Sequence, residues 1–418
     1  MAYQFLKYLF KFAQFFYFKK IEIVGQENIP KNEANIFVSN HPSAFKDPIL
    51  VSVNLSETLY YISAEEFMGP PKVALFLEKN LNIIPIYRPQ TRPDELHKNN
   101  DSFRKSHEAL RQKKSIAIYA EGFSETRSWL APIKSGTARI AFEALDKFPE
   151  IDKVNIISMG YNYSNPHQFR STFLLNIEGC IEIKRDHNLK KSDVSRLAFE
   201  NINKTINALE FDHYKWQEVL QKIFRAGQKE TSLIQNFKNE KLFINSLNSL
   251  KDKFSSQFDI LKTKVVKLQE QIDESKIKID DLIILMHPKK INILSKVSNL
   301  LIMLPGFILN IVPLYFTNML VTKRDFKYSF EGSMKFGFGT LFNVAWHVVV
   351  VIATSFVCGW FSLLSPLILL FTGYIALKSW DKLQPSFQYN RLKSKINISQ
   401  NISTLYNEVR LEVVSLSN

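Results

Sequence analysis

Asn40-His41-Pro42-Ser43-Ala44-Phe45-Lys46-Asp47-Pro48 sits between a run that reads as a buried strand, Ile36-Phe37-Val38-Ser39, and the apolar start of a helix, Ile49-Leu50-Val51. A histidine and an aspartate with five residues between them therefore fall where a strand hands over to a helix. Loops in that position, held by a rigid sheet, often carry chemistry. In a continuous helix, residues six apart point in different directions, but across a turn they can meet. The expectation is that Asp47 accepts the proton-bearing ring nitrogen of His41 and orients it, leaving the other nitrogen to take a proton from a hydroxyl. A plainer reading stands beside it: Asp47 as helix N-cap with Pro48 at the first helical position.

Working outward, short β-rich runs alternate with helical ones between residues 21 and 183. Candidate strands are Ile21–Val24, Asn35–Ser39, Leu59–Ala64, Asn82–Ile86, Ser115–Tyr119, Val154–Gly160 and Phe173–Ile177, with helical spacing over Arg104–Lys113 and Lys134–Asp146. That alternation predicts an α/β fold, a sheet with helices on both faces. Two more strand ends carry polar groups. Ile84-Pro85-Ile86-Tyr87-Arg88 ends in a guanidinium suited to bidentate contact with a phosphate. Ala120-Glu121-Gly122-Phe123-Ser124-Glu125-Thr126-Arg127 has a glycine where a backbone can turn tightly, and only a weak likeness to a nucleophile elbow, because Thr126 replaces the second glycine. Lys134-Ser135-Gly136 then opens a helix whose free amides attract anions.

Taken in order, Asn40-His41…Asp47, Ile84-Pro85-Ile86-Tyr87-Arg88, Glu121-Gly122 leading to Pro132-Ile133-Lys134-Ser135-Gly136, and Tyr161-Asn162-Tyr163…Phe169-Arg170-Ser171 resemble the blocks of the glycerolipid acyltransferase family, over roughly residues 20–185. The family includes lysophosphatidic acid and glycerol-3-phosphate acyltransferases. The resemblance implies His41 as general base and Asp47 as its orienting partner. It makes Arg88 the holder of the acceptor's phosphate, and Glu121 and Gly122 residues that shape the acceptor site; Ser124 and Lys134 complete the substrate-binding set. Three departures stand out. The family's commonest spacing puts four residues between His and Asp, so the loop here must bulge by one. Ala120 stands where the third block commonly has proline, and its Glu-Gly-x-Ser form is closer to the glycerol-3-phosphate branch. Ser158 or Met159 replaces the usual proline of the fourth block.

The rest of the chain qualifies this. It has 418 residues, a formal net charge of +14 and a 45% hydrophobic share, which suits anionic partners such as a phospholipid surface, a phosphorylated metabolite or nucleic acid. Two distant cysteines, Cys180 and Cys358, make no metal or redox pattern, and no cleavable signal peptide is expected. Residues 2–18 hold nine aromatics, with Gln4, Lys7, Lys11 and Gln14 on one stripe, which predicts a helix lying in a membrane interface. From about residue 190 the chain is charged and helical. Leu247, Leu250, Phe254, Phe258, Leu261, Val265, Leu268 and Ile272 recur at three- and four-residue intervals, expected to pack across the first domain rather than to form a dimerising coiled coil, and His213 and His287 read as surface residues. Two charge-free runs follow, Asn299–Val321, containing Pro305 and Pro313, and Phe336–Leu377, 42 residues long. All flanks are basic, so the first is expected to dip in as a proline-broken re-entrant or interfacial element and the second to be a membrane hairpin turning near Ser362–Pro366.

The organisation expected is an interfacial helix over 1–20, an acyltransferase domain over 21–190, a helical segment over 191–297, a membrane-inserted region over 298–380 and a cytoplasmic helical tail over 381–418. The implied function is transfer of an acyl group from acyl-CoA or acyl carrier protein to lysophosphatidic acid at an integral membrane, with the active site facing the cytoplasm. Neither metal, nor further cofactor, nor nucleic-acid partner is expected. Glycerol-3-phosphate as acceptor, a non-phosphate lysolipid such as an amino-acid lipid as acceptor, and an inactive membrane scaffold are the alternatives.

Overall fold

A computed structural model of the chain describes residues 2–210, 214–228, 232–289, 291–324 and 326–416; His213 lies outside them. The chain divides into two units, Met1–Ile206 with Asp325–Gly337, and Asn207–Arg324 with Phe338–Asn418.

The first unit runs α1 (Ala2–Tyr17), β1 (Lys20–Val24), β2 (Ala34–Ser39), α2 (Lys46–Asn54), β3 (Leu59–Ala64), α3 (Pro71–Leu81), β4 (Ile83–Ile86), α4 (Asn99–Arg111), β5 (Ser115–Tyr119), α5 (Gly136–Lys147), β6 (Lys153–Tyr163), β7 (Thr172–Lys184) and α6 (Lys191–Thr205). Each expected strand is present, in one sheet of order β1-β7-β6-β2-β5-β3-β4. β2 pairs in parallel with β5 and β6, and β3 with β4 and β5, so these five strands end on one edge. β7 runs antiparallel to β6 and reaches Lys184, well past the expected Ile177, because β6 offers it a partner along its whole length.

Every residue of β2 is buried, as a central parallel strand covered on both faces requires. Phe37 on one face packs with Leu50 and Val51 of α2 and Tyr17 of α1. Burying each such side chain contributes roughly 1.5–3 kcal/mol. The polar stripe of α1 turns partly inward. Gln14 exchanges hydrogen bonds with Asn54 (3.1 and 2.8 Å), and Lys7 Nζ donates to Leu55 O at 2.7 Å. Phe5, Tyr8, Phe12 and Phe15 are left exposed.

The second unit begins with α7 (Tyr214–Gly227), α8 (Leu233–Lys253), α9 (Ser255–Glu274) and α10 (Ile279–Met286). The apolar repeat expected to lie across the first domain instead has a core of its own. Leu247, Phe258, Leu261, Val265, Leu268 and Ile272 are buried with Trp216, Leu220, Tyr406, Val409 and Val413. The repeat is not one helix: Phe254 leaves helical geometry at φ −138°, and its side chain is exposed. His287 is no free surface residue, since its Nε2 meets Tyr406 Oη at 2.8 Å.

Then come α11 (Ile293–Lys323), α12 (Tyr328–Cys358), a 3₁₀ segment over Gly359–Leu364, α13 (Ser365–Lys393) and α14 (Gln400–Leu416). Ile293–Lys323 and Tyr328–Lys393 are long and apolar enough to cross a membrane. The second run is interrupted at Gly359–Leu364, overlapping the expected turn. α11 is not proline-broken; it is continuous over 31 residues. Pro313 has no N–H for the carbonyl four residues back, Leu309. Trp346 Nε1 donates to that carbonyl at 2.8 Å, so the helix passes through the proline without an orphaned acceptor. Gly306 lets α11 meet α13 closely: a Cβ there would lie 2.1 Å from Thr372 O. Asn310 Nδ2 donates across the same seam to Leu369 O at 3.3 Å.

Candidate active site

The parallel strands deliver four loops to one sheet edge. β2 leads into His41, β5 into Glu121 and Gly122, β3 into Glu65–Phe67 and β4 into Arg88. Asn40 extends the β2–β6 pairing past the strand end, donating to Tyr161 O at 3.1 Å and accepting from Tyr161 N at 2.8 Å, so the loop departs from a fixed point.

His41 and Asp47 meet across that loop, Nδ1 to Oδ2 at 2.8 Å. Asp47 is not the helix cap: α2 begins at Lys46, and Asp47 sits in its first turn, where the helix dipole favours a carboxylate. The carboxylate is fully buried and saturated. Oδ2 also accepts from Ser43 N at 2.8 Å, and Oδ1 from the Tyr163 hydroxyl at 2.6 Å. The imidazole stacks on Tyr119, centroids 3.7 Å apart and planes 11° from parallel. With Nδ1 bonded to the carboxylate, Nε2 is the nitrogen left to exchange a proton.

The extra loop residue is accommodated at Ala44, whose φ of +29° lies in the left-handed region. That conformation is costly for a residue with a Cβ and persists only where its surroundings impose it. Ser124 imposes it: its Oγ accepts from Ala44 N at 2.8 Å and donates to His41 O at 3.0 Å. Glu125 N also donates to His41 O, at 3.1 Å. Thr126 Oγ1 donates to Pro42 O and accepts from His167 Nε2, both at 2.9 Å. Glu121 bridges two backbone amides, His41 N to Oε1 at 3.2 Å and Ala131 N to Oε2 at 3.0 Å. Burial pushes the Glu121 carboxyl up to about 7, against the pull of those two amides. Ser124, expected among the substrate-binding residues, thus spends its hydroxyl on the loop that carries His41, and Glu121, also expected there, ties that loop through one oxygen and Ala131 N through the other. With its hydroxyl committed twice, Ser124 is no nucleophile.

Gly122 sits at φ +77° beneath Lys134: a Cβ there would lie 2.5 Å from Lys134 Nζ. Its carbonyl accepts from Arg88 Nη1 at 3.2 Å. Arg88 Nη2 pairs with Glu66, and its guanidinium lies 5.6 Å from the Phe67 ring centroid. Gly122, Arg88 and Lys134 therefore form one cationic corner, with Glu66 as a counter-charge that sequence reasoning missed. An acid at the end of a strand next to β4 was the available signal. Tyr163, inside the fourth block, and Tyr119, at the end of β5, also serve the His41–Asp47 pair, and their sequence context gives neither a role.

Lys46, beside Asp47, is fully buried. Its Nζ donates to Pro166 O and lies 4.5 Å from the Tyr163 ring centroid, 5.6 Å from Tyr17 and 5.8 Å from Phe18. Burial lowers this ammonium to about 7, and nearby Asp47 opposes the change. No group of His, Cys, Asp and Glu residues able to hold a metal ion occurs among the described residues.

Residues 20–162 match the acyltransferase family model. Residues 20–162 are thus an acyltransferase domain by sequence. A 79-residue stretch, 19% of the chain, is 38% identical to glycerol-3-phosphate O-acyltransferase 1 of Saccharomyces cerevisiae, of which it covers 10%. Over 148 residues, 35% of the chain, it is 28% identical to an uncharacterised acyltransferase of Schizosaccharomyces pombe, covering 21% of that protein. The chain thus spans a tenth of one relative and about a fifth of the other. The crystal structure of the 1-acyl-sn-glycerophosphate (LPA) acyltransferase of Thermotoga maritima aligns at TM-score 0.36 and 16% identity, covering 49% of this chain and 78% of that one. The His41–Asp47 pair, the cationic corner and the strands that carry them all fall inside the matched acyltransferase domain; α7–α14 lie outside it.

Proposed function

We propose that the chain transfers an acyl group from a thioester, acyl-CoA or acyl carrier protein, to the hydroxyl of a glycerol phosphate, with His41 as general base. The observation that carries the reading is the buried, triply hydrogen-bonded Asp47 holding His41 Nδ1 at 2.8 Å. Nε2 removes the hydroxyl proton as the oxygen attacks the thioester carbonyl. The tetrahedral adduct collapses with loss of thiolate, which takes the proton from Nε2, so an ester and a free thiol leave and the imidazole is restored. The thioester is already activated, so neither a covalent enzyme intermediate nor a metal is required. Arg88 and Lys134 grip the acceptor's phosphate, converting a bimolecular encounter into an oriented one.

For the acceptor we favour glycerol-3-phosphate. The yeast relative's name and the Glu121-Gly122-Phe123-Ser124 form support it. Lysophosphatidic acid is the second reading, favoured by the exposed aromatics of α1, which suit a helix seated in a leaflet where that acceptor is dissolved. Purified protein in phospholipid, offered both acceptors, a non-phosphate lysolipid and both donors, decides. Turnover of the non-phosphate acceptor alone would remove the phosphate-gripping role of Arg88.

We also infer a membrane-inserted protein that keeps both ends of α11 on the active-site side. Among the described residues, no helix between Ile206 and Ile293 is apolar enough to cross. At its other end α11 leads into 326–337, which belongs to the same unit as His41. An unbroken helix with both ends on one side lies along the interface. α14 returns to the core formed by α7–α9, so the run Tyr328–Lys393 also begins and ends on that side.

A further inference from the structure

We propose that Ser333 is a positioning residue for the His41–Asp47 pair, which makes the link between the two long apolar stretches part of the catalytic machinery; the proposal rests on the reading of His41 as base. Ser333 lies in the opening turns of α12, far beyond the residues matched by the family. Its Oγ donates to Ser43 O at 2.7 Å and accepts from Lys46 N at 3.0 Å. Those two backbone groups are the ends of the short turn immediately before Asp47. The same turn aims Ser43 N at Asp47 Oδ2, 2.8 Å away. The turn has its own bond, Lys46 N to Ser43 O at 2.9 Å, and one buried hydroxyl braces both of its ends, holding the turn that presents a donor to the carboxylate that orients the imidazole.

The neighbours of Ser333 hold it in place. A Cβ at Gly332 would lie 2.1 Å from Pro166 O and 3.0 Å from Lys46 Nζ, so only glycine allows this approach. Tyr17 Oη donates to Gly332 O at 3.1 Å. Phe336 is buried against Phe10, Tyr17 and Phe18, with ring centroids 5.3, 4.9 and 6.3 Å away. Lys335 Nζ donates to His167 O at 3.2 Å. The loop needs this second clamp because of its extra residue. Ser124 restrains it through Ala44 N and His41 O, and Ser333 restrains the other end, through Ser43 O and Lys46 N. With both in place, the strained Ala44 has no room to relax and swing Asp47 away from His41.

Ser329, one turn earlier, supplies the control: it is equally buried, and its hydroxyl bonds nothing among the described residues. Ser333→Ala, Ser329→Ala and His41→Ala are compared in the full chain in phospholipid, with kcat, acceptor KM and thermal midpoint measured for each. Misorientation of a general base lowers kcat without touching ground-state binding. Ser333→Ala is expected to lose about tenfold or more in kcat with acceptor KM unchanged, while Ser329→Ala keeps the wild-type kcat. Ser333→Cys, a weaker donor and acceptor at the same place, falls between them. Equal kcat for Ser333→Ala and Ser329→Ala, with His41→Ala inactive, would overturn the positioning role alone. Full activity of His41→Ala would instead overturn the base reading beneath it, whatever Ser333→Ala does.

Discussion

Replacing Lys46 with methionine should change how the first unit's stability depends on pH, in a direction the structure fixes. The ammonium sits at about 7 in the folded chain against an ordinary 10.5, chiefly because burial removes its water. One carbonyl and three aromatic faces replace that water, with Asp47 opposing the shift and Lys335 reinforcing it. The folded pKa is depressed for a base, so between pH 7 and 10.5 the unfolded chain binds more protons than the folded one. Stability therefore rises with pH across that window, and the cost of Lys46 is largest below it. Each pH unit well inside the window is worth about 1.4 kcal/mol for one proton. Going from pH 7 to pH 9 should relieve about 2 kcal/mol, or roughly 4–8 °C in the melting of a unit of this size. Methionine fills nearly the same volume and carries no charge. The assay is thermal unfolding of wild type and Lys46→Met in detergent at pH 6.5, 7, 8 and 9. The variant should be the more stable at pH 6.5–7, and the gap should narrow by about 2 kcal/mol by pH 9. A gap that stays constant with pH would refute the reasoning.

Other expectations concern neighbouring groups. Glu121 has the opposite sign: an acid raised from 4.5 to about 7 contributes stability that is complete below 4.5 and lost as pH rises through 7. Glu121→Gln should lack that decline, which melting curves from pH 4.5 to 8 would reveal. Ser124→Ala leaves Ala44 N and His41 O without their clamp; it should cost about 1–3 kcal/mol in stability and lower kcat, read from melting and initial rates. With Cys180 and Cys358 changed to serine, single cysteines at Lys289 and Lys327 should react with an impermeant maleimide from the same face of oriented vesicles. Labelling from opposite faces would mean that α11 crosses.

Local pattern made the sheet readable. Alternating apolar runs mark each of its strands, and the strand-to-helix handover placed His41 and Asp47 within reach of each other across one turn. What lay hidden was long-range. Tyr163 reaches Asp47 from β6, Ser333 reaches Ser43 O and Lys46 N from beyond α11, and a hydroxyl in either sequence context carries no sign of its partner. The added loop residue was plain from spacing, yet the means of holding it, Ala44 at positive φ under Ser124, needed coordinates. Pro313 signalled a break that Trp346 cancels from another helix. Phe254 kept the apolar interval of its neighbours while its backbone left the helix, so periodicity joined two helices into one. The polar stripe of α1 is plain from spacing, but that Lys7 and Gln14 on it find partners on and just after α2 is not.

The most direct measurement is acyl transfer to glycerol-3-phosphate and lysophosphatidic acid by purified wild-type, His41→Ala and Asp47→Asn chains with matched melting behaviour. Loss of about 10²–10⁴-fold in kcat for His41→Ala, with a smaller loss for Asp47→Asn, is the predicted result. Wild-type turnover by folded His41→Ala on either acceptor would contradict the assignment of this imidazole as the base.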